Sequence, residues 1–115
     1  MDDKILKLLY DIEKAITEIN GFFNDFPKSF DHYKRNILLK RAVEREFEII
    51  GEAVNRILRI DNDFPIENAR NIVGLRNQVI HAYDTISDEN IYVILVKHLP
   101  RLEEEVQKLL KKHGR

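Results

Sequence analysis

Apolar residues recur along this chain at the three- and four-residue steps of an α-helix, and that period constrains the fold more than any other feature. Ile5, Leu8, Leu9, Ile12, Ala15, Ile16 and Ile19 make one such stripe. Val43, Phe47, Ile50, Val54 and Ile57 make a second, widened by Ile49, Ala53 and Ile60. A third runs through Ile91, Ile94, Leu95, Leu99, Leu102, Val106, Leu109 and Leu110. Strands would instead need a period of two, and an all-β domain needs more turn punctuation than 4 Gly and 3 Pro in 115 residues. The pattern predicts an all-α protein: an up-down helical bundle of four to five helices, forming one domain over residues 1–115.

The first helix is predicted over Asp3–Asn20, capped by Asp2 or Asp3 and stopped by Asn20-Gly21. Residues 21–31, with Phe22, Phe23, Phe26 and Phe30, read as a packed connector broken by Pro27. A second helix is expected from Ser29 or Asp31 to about Ile60. Asp61-Asn62-Asp63-Phe64-Pro65 reads as a turn, followed by a third helix from about Ile66 to Val79 or Ile80. Ala82–Ser87 reads as a second turn. The last helix starts at the caps in Ser87-Asp88-Glu89-Asn90, with a kink or a junction of two helices at Pro100. The basic tail Lys111–Arg115 reads as frayed.

Composition narrows the chemistry. With 19 basic and 20 acidic residues the formal charge is −1, which excludes a globally basic, histone-like mode of nucleic-acid binding. The lack of Cys excludes disulfide scaffolds, iron–sulfur sites and thiol nucleophiles. His32, His98 and His113 have no partners at metal-ligand spacing, so neither a metal nor a cofactor is expected. No apolar run reaches the length of a membrane span, and Met1-Asp2-Asp3-Lys4 does not resemble a signal peptide. The expectation is a cytoplasmic protein without a membrane partner.

The third predicted helix breaks its own pattern. At about 100° per residue, Ala69, Ile72, Val73, Val79 and Ile80 all fall within about 60° of Arg76, which puts a guanidinium in the middle of an apolar stripe. It reads as a snorkelling arginine, as a core arginine paired with a carboxylate of the second helix, or as a phosphate-gripping group. Tyr83 falls close to Arg76 on the same wheel. Asn77 and His81 are i and i+4 neighbours, and His81 stands about 140° from Arg76 if the helix continues. One helix cannot then aim both at a small target. Either the helix ends before His81, or a second copy of the chain completes the group across a two-fold axis. Arg and His together suit metal-independent RNA cleavage. The imidazole can take a proton from a ribose 2′-hydroxyl or give one to the leaving 5′-oxygen, and the guanidinium can hold the phosphate.

The pattern Arg-x4-His-x-Tyr, at Arg76, His81 and Tyr83, resembles the motif of HEPN-domain proteins, and more narrowly of HepT-type ribonuclease toxins. Ile49-Ile50-Gly51-Glu52-Ala53 resembles that family's Gly-Glu-Ala segment, and the likeness covers essentially the whole chain. It implies a two-fold homodimer with a composite cleft, in which Arg76 and His81 cleave RNA and Asn77 is the polar residue after the motif arginine. It also implies a partner, an MntA-type nucleotidyltransferase antitoxin, that attaches AMP to Tyr83. An added phosphodiester charge and nucleoside would block an RNA cleft by repulsion and occupancy. Read without the motif, Tyr83 packs at a helix end and donates one hydrogen bond. A different use of the same bundle is a non-catalytic docking subunit of a nucleotidyltransferase complex.

Three further sites follow from the residues. Glu52 either pairs with Arg76 and orients it or forms a surface ion pair. Lys34, Arg35, Lys40, Arg41 and Arg45 make residues 33–45 a candidate RNA-backbone surface or a solvated helix face. Glu46 reads as a buried partner for an arginine or as part of a dimer seam.

Overall fold

The computed structural model describes residues 2–66 and 88–113. The predicted third helix beyond Ile66 and the turn Ala82–Ser87 lie outside the described residues. Every described element is helical: α1 (Asp3–Asp25), α2 (Phe30–Arg35), α3 (Ile37–Ile60), α4 (Asp88–Val93), a π-helical turn (Ile94–His98) and α5 (Leu99–His113). The fold is all-α, as the apolar period requires.

α1 begins where the sequence indicates, with the Asp2 carboxylate accepting from the Lys4 amide at 2.7 Å. It ends later than predicted, at Asp25 rather than Asn20. Phe22, Phe23 and Phe26 pack on the core, and their burial draws out the extra turn. Gly21 has open space around it and needs no special backbone angle. The stop is Phe26-Pro27. A residue before proline is pushed into the extended region, and Phe26 sits there at φ −119°, ψ 144°.

The second predicted helix is two helices. Asn36, extended at φ −102°, ψ 96°, closes α2 and opens α3. Its amide donates to the His32 and Tyr33 carbonyls. Its side-chain oxygen accepts from the Leu39 amide at 3.0 Å. An asparagine that bonds its own neighbourhood this way competes with helix continuation. The break turns Tyr33 and Leu39 fully inward and leaves Ile37 67% and Leu38 72% exposed.

The turn after α3 forms as expected: the Asp61 carbonyl accepts from the Phe64 amide and the Asp61 carboxylate from the Asp63 amide. In the last segment the irregularity falls just before Pro100. Proline has no amide proton and its ring collides with the carbonyl four residues back. The helix widens instead, the Leu99 amide reaching the Ile94 carbonyl across a π turn. α5 then continues through His113, past the point where the tail was expected to fray.

α1 packs along α3 and α5, while α2 bridges α3 and α4. Ile12, Ile16 and Ile19 from α1, Phe47, Ile50 and Ile57 from α3, and Leu102, Val106 and Leu110 from α5 have lost essentially all contact with water. These are the residues of the three sequence stripes. Tyr33 joins this core with its hydroxyl buried and without a hydrogen-bond partner among the described residues. Burial, with Glu44 and Asp88 close by, holds that phenol well above its ordinary value.

Candidate functional site

α1 and α3 run antiparallel, and a continuous furrow follows their contact. Its wider part, about 510 Å³, lies between Leu8, Lys14 and Glu18 on one wall and Arg45, Ile49 and Arg56 on the other. Glu46 and Glu52 also face it. Glu46 comes from the inward side of α3 and is only 7% exposed.

The Glu46 carboxyl is raised from 4.5 to about 7. Burial is the main cause, followed by the charge and hydrogen bonding of Glu18 across the furrow; Arg45 and Lys14 oppose it weakly. Glu46 therefore faces another acid, with Arg45 only a weak counter-charge that itself lies 3.5 Å from Glu48.

The sign of the linkage follows. A carboxyl raised in the folded state stabilises the fold fully below the unfolded value near 4.5, and that contribution is lost as pH climbs through about 7. Glu46→Gln is therefore expected to stabilise the protein above pH 7, by roughly 1–2 kcal/mol after allowance for water in the open furrow. Its advantage should vanish near pH 4.5. Urea unfolding at a series of pH values checks this, and parallel profiles for parent and variant would refute it.

Glu52 lies on the furrow wall with one oxygen 4.0 Å from Arg56 Nε, one helical turn on. The other predicted site residues, Arg76, Asn77, His81 and Tyr83, lie outside the described residues. The candidate RNA surface at 33–45 takes a different form from its charge count. Arg35 pairs with Asp31, Lys40 with Asp88 at 3.2 Å, Arg41 with Glu44 at 3.7 Å, and Arg45 with Glu48 at 3.5 Å. Four of the five cations each face a carboxylate, one of them brought by α4 from 48 residues away. Among the described residues no cluster of three or more His, Asp or Glu side chains is arranged to hold a metal ion. No described helix is long and apolar enough to cross a membrane.

Sequence reasoning missed the Glu18–Glu46 pair. Glu18 is an exposed acid on the polar face of α1, and nothing in its spacing shows that α3 brings a buried carboxyl opposite.

In α3, Gly51 and Ala53 are buried and Glu52 is half-buried between them, facing the furrow. The family description "Ribonuclease HepT-like" matches residues 12–109, and the chain belongs to that family. "Putative RNase MJ0127" of Methanocaldococcus jannaschii is 32% identical over 104 residues, covering 90% of this chain and 84% of that protein. "Putative RNase MJ1380" of the same organism is 33% identical over 103 residues, covering 86% and 90%. "Putative RNase TTE0752" of Caldanaerobacter subterraneus subsp. tengcongensis is 29% identical over 109 residues, covering 91% and 89%. No solved structure matches the chain significantly.

Proposed function

We propose that this protein is a metal-independent endoribonuclease, the toxin of a HepT/MntA-type toxin–antitoxin pair. The observation that carries the reading is the family match over residues 12–109, which spans Arg76, Asn77, His81 and Tyr83 in their motif order. Two chains pair about a two-fold axis, and each contributes an Arg-His set to a common cleft.

In the cleavage step the ribose 2′-oxygen attacks the adjacent phosphorus and the bond from phosphorus to the 5′-oxygen breaks. His81 accepts the proton from the 2′-hydroxyl, and the imidazolium of the twin site delivers one to the departing 5′-oxygen. Arg76 holds the phosphate oxygens and offsets their growing charge. The product carries a 2′,3′-cyclic phosphate. DNA, lacking the 2′-hydroxyl, is left intact. Glu52 orients Arg76 from α3, and Asn77 sets the imidazole. AMP placed on Tyr83 by the nucleotidyltransferase closes the cleft to RNA by charge and bulk.

The test is direct. Purified protein should cleave labelled RNA in the presence of EDTA and leave cyclic phosphate ends. Co-expression with its nucleotidyltransferase should add AMP to the intact mass at Tyr83 and abolish cleavage. A chain that cuts no RNA and is harmless when expressed alone would be a docking subunit.

A further inference from the structure

The furrow between α1 and α3 is polarised along its length. In its wider part five acids, Asp11, Glu18, Glu46, Glu48 and Glu52, outnumber the three cations Lys14, Arg45 and Arg56. At the other end, the start of α1 meets the end of α3 in a narrower groove of about 420 Å³. Lys4, Lys7, Arg56 and Arg59 converge there on a floor made by Leu8 and Ile60, with Asp11 as the one carboxylate. Asp11 is engaged by Lys7 at 3.1 Å. Arg56 reaches Glu52 only at 4.0 Å, and neither Lys4 nor Arg59 has a carboxylate partner among the described residues. We propose that this groove, through Lys4, Lys7, Arg56 and Arg59, binds the sugar–phosphate backbone of RNA.

Three observations lead there. In a chain of net charge −1, four of the five cations at 33–45 face carboxylates, whereas this concave site is lined by four cations and one acid; Lys7 meets Asp11 and Arg56 lies 4.0 Å from Glu52. A groove with low-dielectric walls focuses the potential of such charges onto an anion. The floor is apolar and Ile60 is 43% exposed, which suits the flat, less polar face of a ribose or base between phosphates. The wider part of the same furrow carries an excess of carboxyls, so a polyanion is favoured at the basic end.

The groove lies where α3 ends at Ile60, and from there the chain passes through the turn to Ile66, which is buried in the core. This inference rests on the ribonuclease reading, and it assigns the backbone contacts to a surface other than residues 33–45.

The test measures binding of a fluorescein-labelled single-stranded RNA to the full-length His81→Ala chain, by anisotropy over a range of KCl concentrations. Adding Lys4→Ala and Arg59→Ala should weaken binding about tenfold at low salt and lower the slope of log affinity against log salt by about 1.4. Both side chains are exposed, so the fold is retained. With His81 intact, the same pair should raise KM and leave kcat at saturating RNA unchanged. Lys108→Ala together with Lys111→Ala, which remove an equal charge from exposed positions of α5, should change neither. An unchanged slope in the Lys4→Ala/Arg59→Ala variant overturns the proposal, as does an equal loss from the Lys108→Ala/Lys111→Ala variant; the first result would also be that of a groove that docks an acidic protein. If the parent cleaves no RNA, the ribonuclease reading fails, while the salt slope still reports on the groove.

Discussion

Replacing His81 with alanine should lower the rate of RNA cleavage by about 10²–10⁴, the usual contribution of a positioned acid or base. RNA affinity should change little, because an imidazole adds at most one of several phosphate-facing charges. Single-turnover cleavage by parent and variant, together with equilibrium binding, separates the two quantities. Arg76→Ala should depress both, since a guanidinium on the phosphate is used in the ground state and the transition state alike. If the His81 variant cuts RNA as fast as the parent, the imidazole has no part in the chemistry. Mixing His81→Ala chains with Arg76→Ala chains adds a sharper arm. If the cleft draws on both chains, the heterodimer's common cleft holds one intact Arg76 and one intact His81, from different chains, and regains part of the activity that each variant alone lacks.

The second large effect is on stability. Phe47 is fully buried at the centre of α3, within the core that α1 and α5 share. Phe47→Ala should cost about 3–5 kcal/mol, from lost burial and from the cavity left among stiff isoleucines. That is a large part of the total for a domain of this size. The urea midpoint should fall by roughly 1–3 M at an unchanged slope. Phe47→Leu, which keeps most of the volume, should cost far less. Equal costs for the two variants would mean that the site collapses freely and that close packing there contributes little.

These expectations draw on different levels of the molecule. The heptad-like spacing of Ile, Leu and Val was sufficient for the all-α class, for three core faces and for the start of α1, because side-chain direction in a helix follows from residue number alone. The motif at 76–83 stands out in the sequence because a charged residue amid an apolar stripe conflicts with local rules and needs a reason, and its side chains lie outside the described residues. Helix ends were less legible. Asn20-Gly21 is a sound stop by local chemistry, yet α1 runs on to Asp25 because three phenylalanines gain more by burial than a glycine costs in a helix. Asn36 is an ordinary residue in a helical window, and it becomes a hinge between α2 and α3 only because its two capping bonds accompany the burial of Tyr33 and Leu39.

Residue order alone thus determined what is apolar, what is charged and with what period each recurs. Only the tertiary structure decided which charges meet. The antiparallel contact of α1 and α3 sets Glu18 against Glu46 and gathers Lys4 and Lys7 beside Arg56 and Arg59, while α4 carries Asp88 to Lys40. Electrostatic energy depends on distance and on access to water, and neither quantity is defined along a chain until it has packed.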